Sequence, residues 1–323
     1  MKHSLPIVIL FIMVMGSCVS GSKNKVAASP EYSPVLAQVD LPADQKPDSL
    51  TNLDRTPDGS FVLAPGFYEA TFKSFCLQPG TPDPSSRDAY LQAPISGYRK
   101  EIVETILYES RRREDIPQRN VQLLLWSVVS GSDFNKLPSR IQNEAQQILS
   151  PKQIFELRGG VMGMVKTVSG KLPYGFSNGT DDVRRLFEIG ASSYEAFERM
   201  AVLRTPSQIK RPDYKIDQWY KQKENYYVRY FPVSYQNLRI QVYVPDGLLD
   251  STGKKEGEYL VFDPSSWLAV PANSNAQRLG VGGPVLDVVK KVIQISRPVQ
   301  PKTLPAPTPA PPANPKQPRK TMP

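Results

Sequence analysis

The spacing of apolar and polar positions changes along the chain and divides it into stretches of different predicted structure. Residues 67–75 (FYEATFKSF) alternate imperfectly between apolar and polar side chains and predict a strand. From residue 98 to about residue 203, apolar side chains recur every three or four positions, as in amphipathic helices. Residues 225–247 then carry the β-branched and aromatic side chains typical of strands. This order predicts an α+β fold, with a helix-rich first half followed by a second half that contains antiparallel strands.

Within the helical stretch, residues that favour helix ends predict where individual helices begin and stop. Pro117 suits the first turn of a helix that runs to Gly131. Residues 150–153 (SPKQ) have the spacing of a capping box, so a helix is expected to begin there. Thr180 is followed by two aspartates, which favour a helix N-terminus, and the apolar stripe after it continues to Met200.

Two polar, proline-containing stretches flank the part of the chain that is expected to fold. Residues 18–60 lack apolar periodicity and predict a flexible tether. Residues 297–323 hold ten prolines, five basic residues and no acid, which predicts a disordered, basic, polyproline-like tail. Between them, residues 61–296 are expected to form a single domain. Within that domain, residues 273–284 (NSNAQRLGVGGP) predict a glycine-containing loop, and their glycine spacing is not that of a phosphate-binding motif.

The first residues combine a basic residue, an apolar run and a small-residue step that ends in cysteine. Lys2 precedes the apolar residues 5–15, a run as long as the core of a signal peptide and shorter than a membrane-spanning helix. Gly16, Ser17 and Cys18 follow. This segment resembles the lipobox of bacterial lipoproteins, in which an apolar residue and two small residues precede the modified cysteine.

The resemblance implies an address in the cell envelope. Residues 1–17 would be a signal peptide, and Cys18 would become the first residue, carrying a diacylglyceryl group and an N-linked acyl chain such as palmitate. Two or more acyl chains anchor a protein stably, whereas one chain binds reversibly. Val19 stands where an aspartate would resemble an inner-membrane retention signal, which favours the outer membrane. The alternative is an ordinary secretory signal cut near Ser17 or Ser20, which would make the protein periplasmic or secreted.

The histidine and cysteine counts exclude several classes of enzyme. The one histidine, His3, lies inside the predicted signal peptide, so the mature chain would contain none. Hydrolases that use Ser-His-Asp or Cys-His groups, and zinc sites built on histidine, are thereby excluded. Cys76 is the second of two cysteines, and its place in the predicted strand indicates a small buried side chain. We therefore expect no metal and no cofactor.

A glutamate in the helical stretch provides the alternative to a purely binding role. Glu109-Ser110 closes a predicted helix, and a glycine- and methionine-rich segment, 159–164 (GGVMGM), lies downstream. These segments resemble those of lytic transglycosylases, although about fifty residues separate them here and RRRED follows the serine. The resemblance implies that Glu109 would act as the single acid and base in peptidoglycan cleavage.

The charge distribution and the predicted address lead to the functional expectation. The chain carries a net charge of +9, and the tail contributes five of its basic residues. Export to the envelope leaves little nucleic acid to bind, so we expect none, and the arginines at 111–113 are interpreted as partners of a helix C-terminus. The sequence predicts a non-enzymatic envelope lipoprotein, attached to lipid through Cys18, that binds an envelope protein or an anionic wall polymer. The alternative is the peptidoglycan-cleaving enzyme that uses Glu109.

Overall fold

The computed structural model describes residues 35–39, 41, 45–96, 99–160, 178–286 and 291–294. These residues belong to one compact unit. They combine helices with a large antiparallel sheet, so the predicted mixture of helix and strand is confirmed at that level. The helices are α1 Lys100–Ser110, α2 Gln118–Ser130, α3 Ser139–Ile148, α4 Pro151–Leu157, α5 Asn178–Glu188 and α6 Tyr194–Ala201.

Strands occur on both sides of the helical segment in the chain. Six precede it, namely β1 Val35–Ala37, β2 Asp48–Ser49, β3 Phe61–Val62, β4 Gly66–Cys76, β5 Thr81–Pro82 and β6 Tyr90–Pro94. Nine follow it, namely β7 Val202–Leu203, β8 Trp219–Lys221, β9 Tyr227–Ser234, β10 Asn237–Val244, β11 Lys254–Lys255, β12 Glu258–Tyr259, β13 Val261–Phe262, β14 Trp267–Pro271 and β15 Leu279–Pro284. The predicted strand at 67–75 is thus part of the main sheet, and the helices are inserted between two groups of strands rather than placed before all of them.

Six of the strands close into an antiparallel barrel. The order is β9, β10, β4, β15, β14 and β6, and the barrel closes where Tyr90 of β6 lies opposite Tyr230 of β9. Closure pairs both edges of each barrel strand, which removes open sheet edges. Beyond β9 the sheet continues through β8 to β1.

Strand alternation explains how the barrel is filled. In β10 the side chains of Leu238, Ile240 and Val242 are buried, while the positions between them point to the opposite face of the sheet. On β4, Phe72 is buried and packs edge-on against Phe61, with ring centroids 5.8 Å apart. The barrel strands therefore direct one set of side chains into the core and leave the other set outside.

Helix α2 is attached to the end of β4 by a buried amide. The side chain of Gln122 accepts a hydrogen bond from the backbone N–H of Cys76 (2.8 Å) and donates one to the carbonyl of the same residue (2.9 Å). The carbonyl oxygen and the NH2 group of this buried amide are thereby both hydrogen-bonded, as a buried polar side chain requires.

The glycine-containing stretch predicted as a loop is in part a strand, and this corrects the sequence interpretation. β15 forms the last six residues of the segment 273–284 and pairs with β4 and β14. A Cβ on Gly280 would lie 2.8 Å from the side chain of Leu107, and one on Gly282 would lie 2.8 Å from the ring of Phe75. Gly280 allows α1 to pack closely against β15, and Gly282 leaves space for the ring of Phe75 on β4. Both requirements come from tertiary packing, which the local sequence pattern does not contain.

The predicted tether boundary at residue 60 also needs correction, because residues 48–60 belong to the folded part. β2 pairs in parallel with β4, and Leu50 is fully buried. Arg55 is buried too, with its guanidinium carbon 3.6 Å from the centroid of the Phe61 ring. Its backbone N–H donates to the carbonyl of Lys291, and its carbonyl accepts from the N–H of Ile293. A few buried side chains among turn residues have no periodicity, which is why the pattern indicated a tether.

The helix ends agree with the sequence signals in part. The capping box at Ser150 is present, and α2 stops at Gly131, whose φ is 70°. Pro117 stands one position before its helix rather than in the first turn. The stripe after Thr180 is broken at Gly190, where a φ of 73° separates α5 from α6. None of the helices in the described ranges is long and apolar enough to cross a membrane.

Candidate binding surface

The outward-facing positions of four neighbouring strands, β4, β10, β9 and β8, form a continuous surface of aromatic and charged side chains. Strand register aligns them in rows. Tyr243 lies opposite both Phe67 and Tyr227, and Gln241 lies opposite both Glu69 and Arg229. We call this surface the aromatic–arginine face, and it consists of Phe67, Glu69, Trp219, Tyr227, Arg229, Phe231, Arg239, Gln241 and Tyr243.

Ring stacking orders one end of the aromatic–arginine face. Tyr227 and Tyr243 stack across the strands with ring centroids 6.1 Å apart and an angle of 25° between the rings. Trp219 meets Tyr243 at 6.4 Å and Phe67 at 6.0 Å. Trp219 and Phe67 are buried beneath the surface, whereas both tyrosines remain half-exposed. Cross-strand aromatic pairs of this kind stabilise a sheet and hold the exposed rings in place.

Arg229 occupies the centre of the face. Its guanidinium carbon lies 4.2 Å from the centroid of the Trp219 ring. Its Nε donates to Oε1 of Gln241 (2.6 Å), and another of its nitrogens donates to the carbonyl of Asp217 (3.3 Å). Within the described part of the chain, no carboxylate forms an ion pair with it. Partial burial lowers the pKa of this guanidinium, which nevertheless stays charged at neutral pH.

Arg239 is the second cation of the face and differs from Arg229 in having an acid partner. It donates to Oε2 of Glu69 (3.0 Å), and its side chain is 41% exposed. Phe231 contacts both arginines. The centroid of its ring lies 4.5 Å from the guanidinium carbon of Arg239 and 5.3 Å from that of Arg229. Each such contact is worth about 0.5–1 kcal/mol at an exposed position. Both guanidinium groups are therefore held next to aromatic rings of the sheet.

The surroundings of the face make it basic. Lys73 and Lys221 occupy outward positions, since they lie opposite Asn237 and Tyr227. With the two arginines they give four cations, against Glu69 on the face, Asp217 at its edge and Asp48 on the adjoining β2. The face thus combines flat rings, cations held in fixed positions and an excess of positive charge.

A second polar cluster lies where α6 meets the β9–β10 hairpin. The hydroxyl of Tyr235 donates to Oε1 of Glu198 (2.6 Å) and lies 2.9 Å from that of Tyr194. Arg204 bridges Glu198 (3.0 Å) and Asp83 (3.3 Å). Burial, and then the hydrogen bond to Glu198, raise the pKa of Tyr235. Because the groups bind one another, the cluster attaches the helix to the hairpin.

Two arginines of the run at 111–115 form ion pairs within the protein. The side chain of Arg111 is 6% exposed and donates to Oδ1 of Asp263 (2.6 Å) and to Oγ of Ser265 (3.2 Å). Arg113 pairs with Asp115 at the surface. Arg111, which follows the last residue of α1, therefore also joins the end of that helix to a turn near β14.

The structure locates part of the predicted chemistry. Cys18 and residues 161–164 lie outside the described residues, so neither the lipidation site nor the methionine segment is placed. Glu109 is half-buried in the last turn of α1. Gly159 and Gly160 follow the end of α4. The first turn of α4 contacts the middle of α1 rather than its end, because Nε2 of Gln153 donates a hydrogen bond to Oγ1 of Thr105 (2.8 Å). The role of Glu109 as an acid and base therefore stays a prediction.

The structure places the side chain of Cys76. Cys76 is a fully buried free thiol at the end of β4, which confirms the prediction of a small buried side chain. Burial raises its pKa to about 12, so it is a protonated, unreactive thiol at neutral pH. Over the described ranges, no three or more His, Cys, Asp or Glu side chains are grouped to hold a metal ion.

Comparison with other proteins provides no family for the chain. No protein-family model matches it, and comparisons with curated proteins and with solved structures found no significant match. The function must therefore be argued from the aromatic–arginine face itself. Sequence reasoning missed this face, although the alternation at 227–231 and 239–243 contained its signal. Those side chains were recognised as strand formers, and only the register shows that they share one surface.

Proposed function

We propose that the protein is a non-enzymatic binding module of the cell envelope and that the aromatic–arginine face is its binding surface. The observation that supports this proposal is the set of half-exposed tyrosines and arginines that stacking holds in fixed positions on a rigid sheet. Tyrosine, tryptophan and arginine are the residues that most often dominate the energy of binding surfaces.

Preorganisation favours binding over a purely structural role for these side chains. Arg229 is held by Trp219 and Gln241 before any partner arrives. A side chain already held in its binding position loses less conformational entropy on association than a mobile one. A positive charge kept half-buried without an ion pair among the described residues is costly for folding alone, and a partner that supplies an anion would offset that cost.

The proposed location follows from the lipobox resemblance. Cys18 would carry the lipid and anchor the protein to the outer membrane, with the periplasm or the medium as the alternative location. The binding partner would then be an envelope protein or an anionic wall polymer. Replacing Cys18 by Ser should abolish labelling with radioactive palmitate and release the protein into soluble fractions. Absence of label on the wild type, together with unchanged fractionation of the variant, would contradict the anchor.

The binding role is tested with the full-length Cys18→Ser protein and isolated cell envelopes. Replacing Arg229 by Gln should reduce the amount of protein that sediments with the envelopes. Arg140→Gln is the matched control, since Arg140 is an exposed arginine on α3, away from the face. Equal sedimentation of the two variants and the parent protein would contradict the proposal.

A further inference from the structure

We infer that the ligand of the aromatic–arginine face is an anionic glycan chain that carries carboxylate groups. The inference rests on the proposed function and adds the chemical class of the partner to it. Three features of the described residues support it, namely the unpaired cation at the centre, the flat exposed rings and the excess of positive charge.

The unpaired cation identifies the charged part of the ligand. Arg229 uses its Nε and one further nitrogen on Gln241 and on a backbone carbonyl, and no ion pair is found for it among the described residues. A guanidinium has five N–H donors in a planar fork that matches a carboxylate. A carboxylate of the ligand would therefore find a donor that is already oriented, on a cation that forms no ion pair among the described residues.

The rings identify the uncharged part of the ligand. Tyr227, Phe231 and Tyr243 are half-exposed and lie against the sheet next to the arginines. The outward positions from 227 to 231 extend over about 13 Å at the usual rise of a strand. A flat, extended chain with apolar ring faces and polar edges fits such a strip, because the rings present apolar area and the tyrosine hydroxyls present hydrogen-bonding groups.

The composition of the face disfavours a lipid bilayer as the ligand. A surface that inserts into a membrane presents aliphatic and aromatic side chains that project from it. On this face Trp219 and Phe67 are buried, and the half-exposed rings are flanked by arginines. Val233, at the end of β9, is the one large aliphatic side chain exposed on the outward positions of β9 and β10.

The experiment uses the full-length Cys18→Ser protein and four defined probes. These are polygalacturonate, dextran of matched length, poly-glutamate and vesicles that contain an anionic phospholipid. Binding is measured by sedimentation or gel retardation and by the fluorescence of Trp219, with Trp219→Phe as the spectroscopic control. The basic tail is excluded as the source of binding by a second protein in which its five basic residues, Arg297, Lys302, Lys316, Arg319 and Lys320, are all replaced by Gln.

We expect polygalacturonate to bind at least tenfold more tightly than dextran or poly-glutamate, with and without the tail charges, and to bind more weakly as salt rises. Arg229→Gln should lose at least tenfold in affinity, and Arg229→Lys should lose an intermediate amount because it keeps the charge without the fork. Arg140→Gln should bind like the parent protein. If Arg229→Gln does not fold, the Arg229→Lys affinity and the Trp219 signal decide the question.

The other outcomes separate the ligand class from the proposed function. Arg229-dependent binding to envelopes without preference for polygalacturonate would overturn the ligand class and leave the binding role standing. Preference for the vesicles would assign the face to lipid, and preference for poly-glutamate would assign it to acidic protein, so each would overturn the inference. Loss of polygalacturonate binding when the tail is neutralised would assign binding to residues 297–323. Failure to bind either envelopes or polygalacturonate would overturn both proposals.

Discussion

Arg111 and Arg229 both lie against an aromatic ring, but they differ in burial and in ion pairing. The guanidinium carbon of Arg111 lies 4.3 Å from the centroid of the Tyr108 ring, and that of Arg229 lies 4.2 Å from the centroid of the Trp219 ring. Arg111 is 6% exposed and pairs with Asp263 at 2.6 Å, whereas Arg229 is half-exposed and bonds only to an amide and a carbonyl. The first arginine joins parts of the fold, and the second remains able to bind a partner. The buried ion pair of Arg111, rather than the aromatic contact, makes the difference.

The largest predicted effect comes from removing the buried cation. Arg111→Ala would remove the buried cation beside Asp263, whose carboxylate would keep only hydrogen bonds such as those from Ser265 and Ser266. Breaking a buried pair from one side costs about 3–5 kcal/mol. Urea unfolding followed by circular dichroism measures this loss. Arg113→Ala, which breaks an exposed pair in the same run, is the control and should leave the transition unchanged. A loss for Arg111→Ala of under about 1 kcal/mol, the scale of a surface pair, would remove the distinction drawn here.

A smaller effect is expected from crowding the buried arginine without removing it. A Cβ on Gly283 would lie 3.1 Å from Cβ and 3.3 Å from Cα of Arg111, so Gly283→Ala should displace the end of α1. Overpacking of this kind costs about 1–3 kcal/mol. The same unfolding experiment measures it, and a variant as stable as the wild type would show that α1 adjusts freely.

Arg229→Gln is expected to show the opposite pattern to Arg111→Ala, with a small effect on stability and a large effect on binding. The side chain is half-exposed and its partners are neutral, so the free energy of unfolding should change by less than about 1 kcal/mol. The affinity for polygalacturonate should nevertheless fall at least tenfold. Thermal unfolding and binding are measured on the same preparation. Large destabilisation with unchanged binding would make Arg229 a structural residue like Arg111.

Arg204 provides a third, mostly exposed case, in which two acids share one cation. Burial raises the pKa of Asp83 above its ordinary value. Between the ordinary pKa of Asp83 in the unfolded chain and its raised pKa in the folded protein, the folded state binds more protons than the unfolded state. The contribution of Asp83 to stability therefore falls as pH rises through that window. In Asp83→Asn the amide oxygen can still accept the N–H of Tyr235. The stability of this variant relative to the wild type should rise from acidic to neutral pH, and urea unfolding at several pH values tests the sign. A relative stability that falls with pH would contradict it.

The smallest predicted effect concerns Glu109, which is half-buried in the last turn of α1. In a peptidoglycan gel the wild type should produce no cleared zone, and Glu109→Gln should behave identically. A zone produced by the wild type and lost in the variant would support the alternative of a glycan-cleaving enzyme. It would also show that residues outside the described ranges complete the site.

Local signals identified much of the secondary structure. The capping box at Ser150 and the left-handed position at Gly131 mark helix ends because their physics involves only four or five consecutive residues. The strand at 67–75 and the hairpin of β9 and β10 were predictable for the same reason, since alternation is a local property. The break at Gly190 was missed because the apolar spacing continues across it.

The sequence by itself determined the mixture of helices and strands and the burial of Cys76. Only the tertiary structure decided that β6 closes the barrel against β9, that the glycines of β15 form a strand and that Leu50 belongs to the core. The aromatic–arginine face was decided in the same way, since Glu69 and Arg239 come together from positions 170 residues apart. Such pairings depend on complementary packing between distant segments and on the entropy of closing long loops, and neither is written into a local pattern.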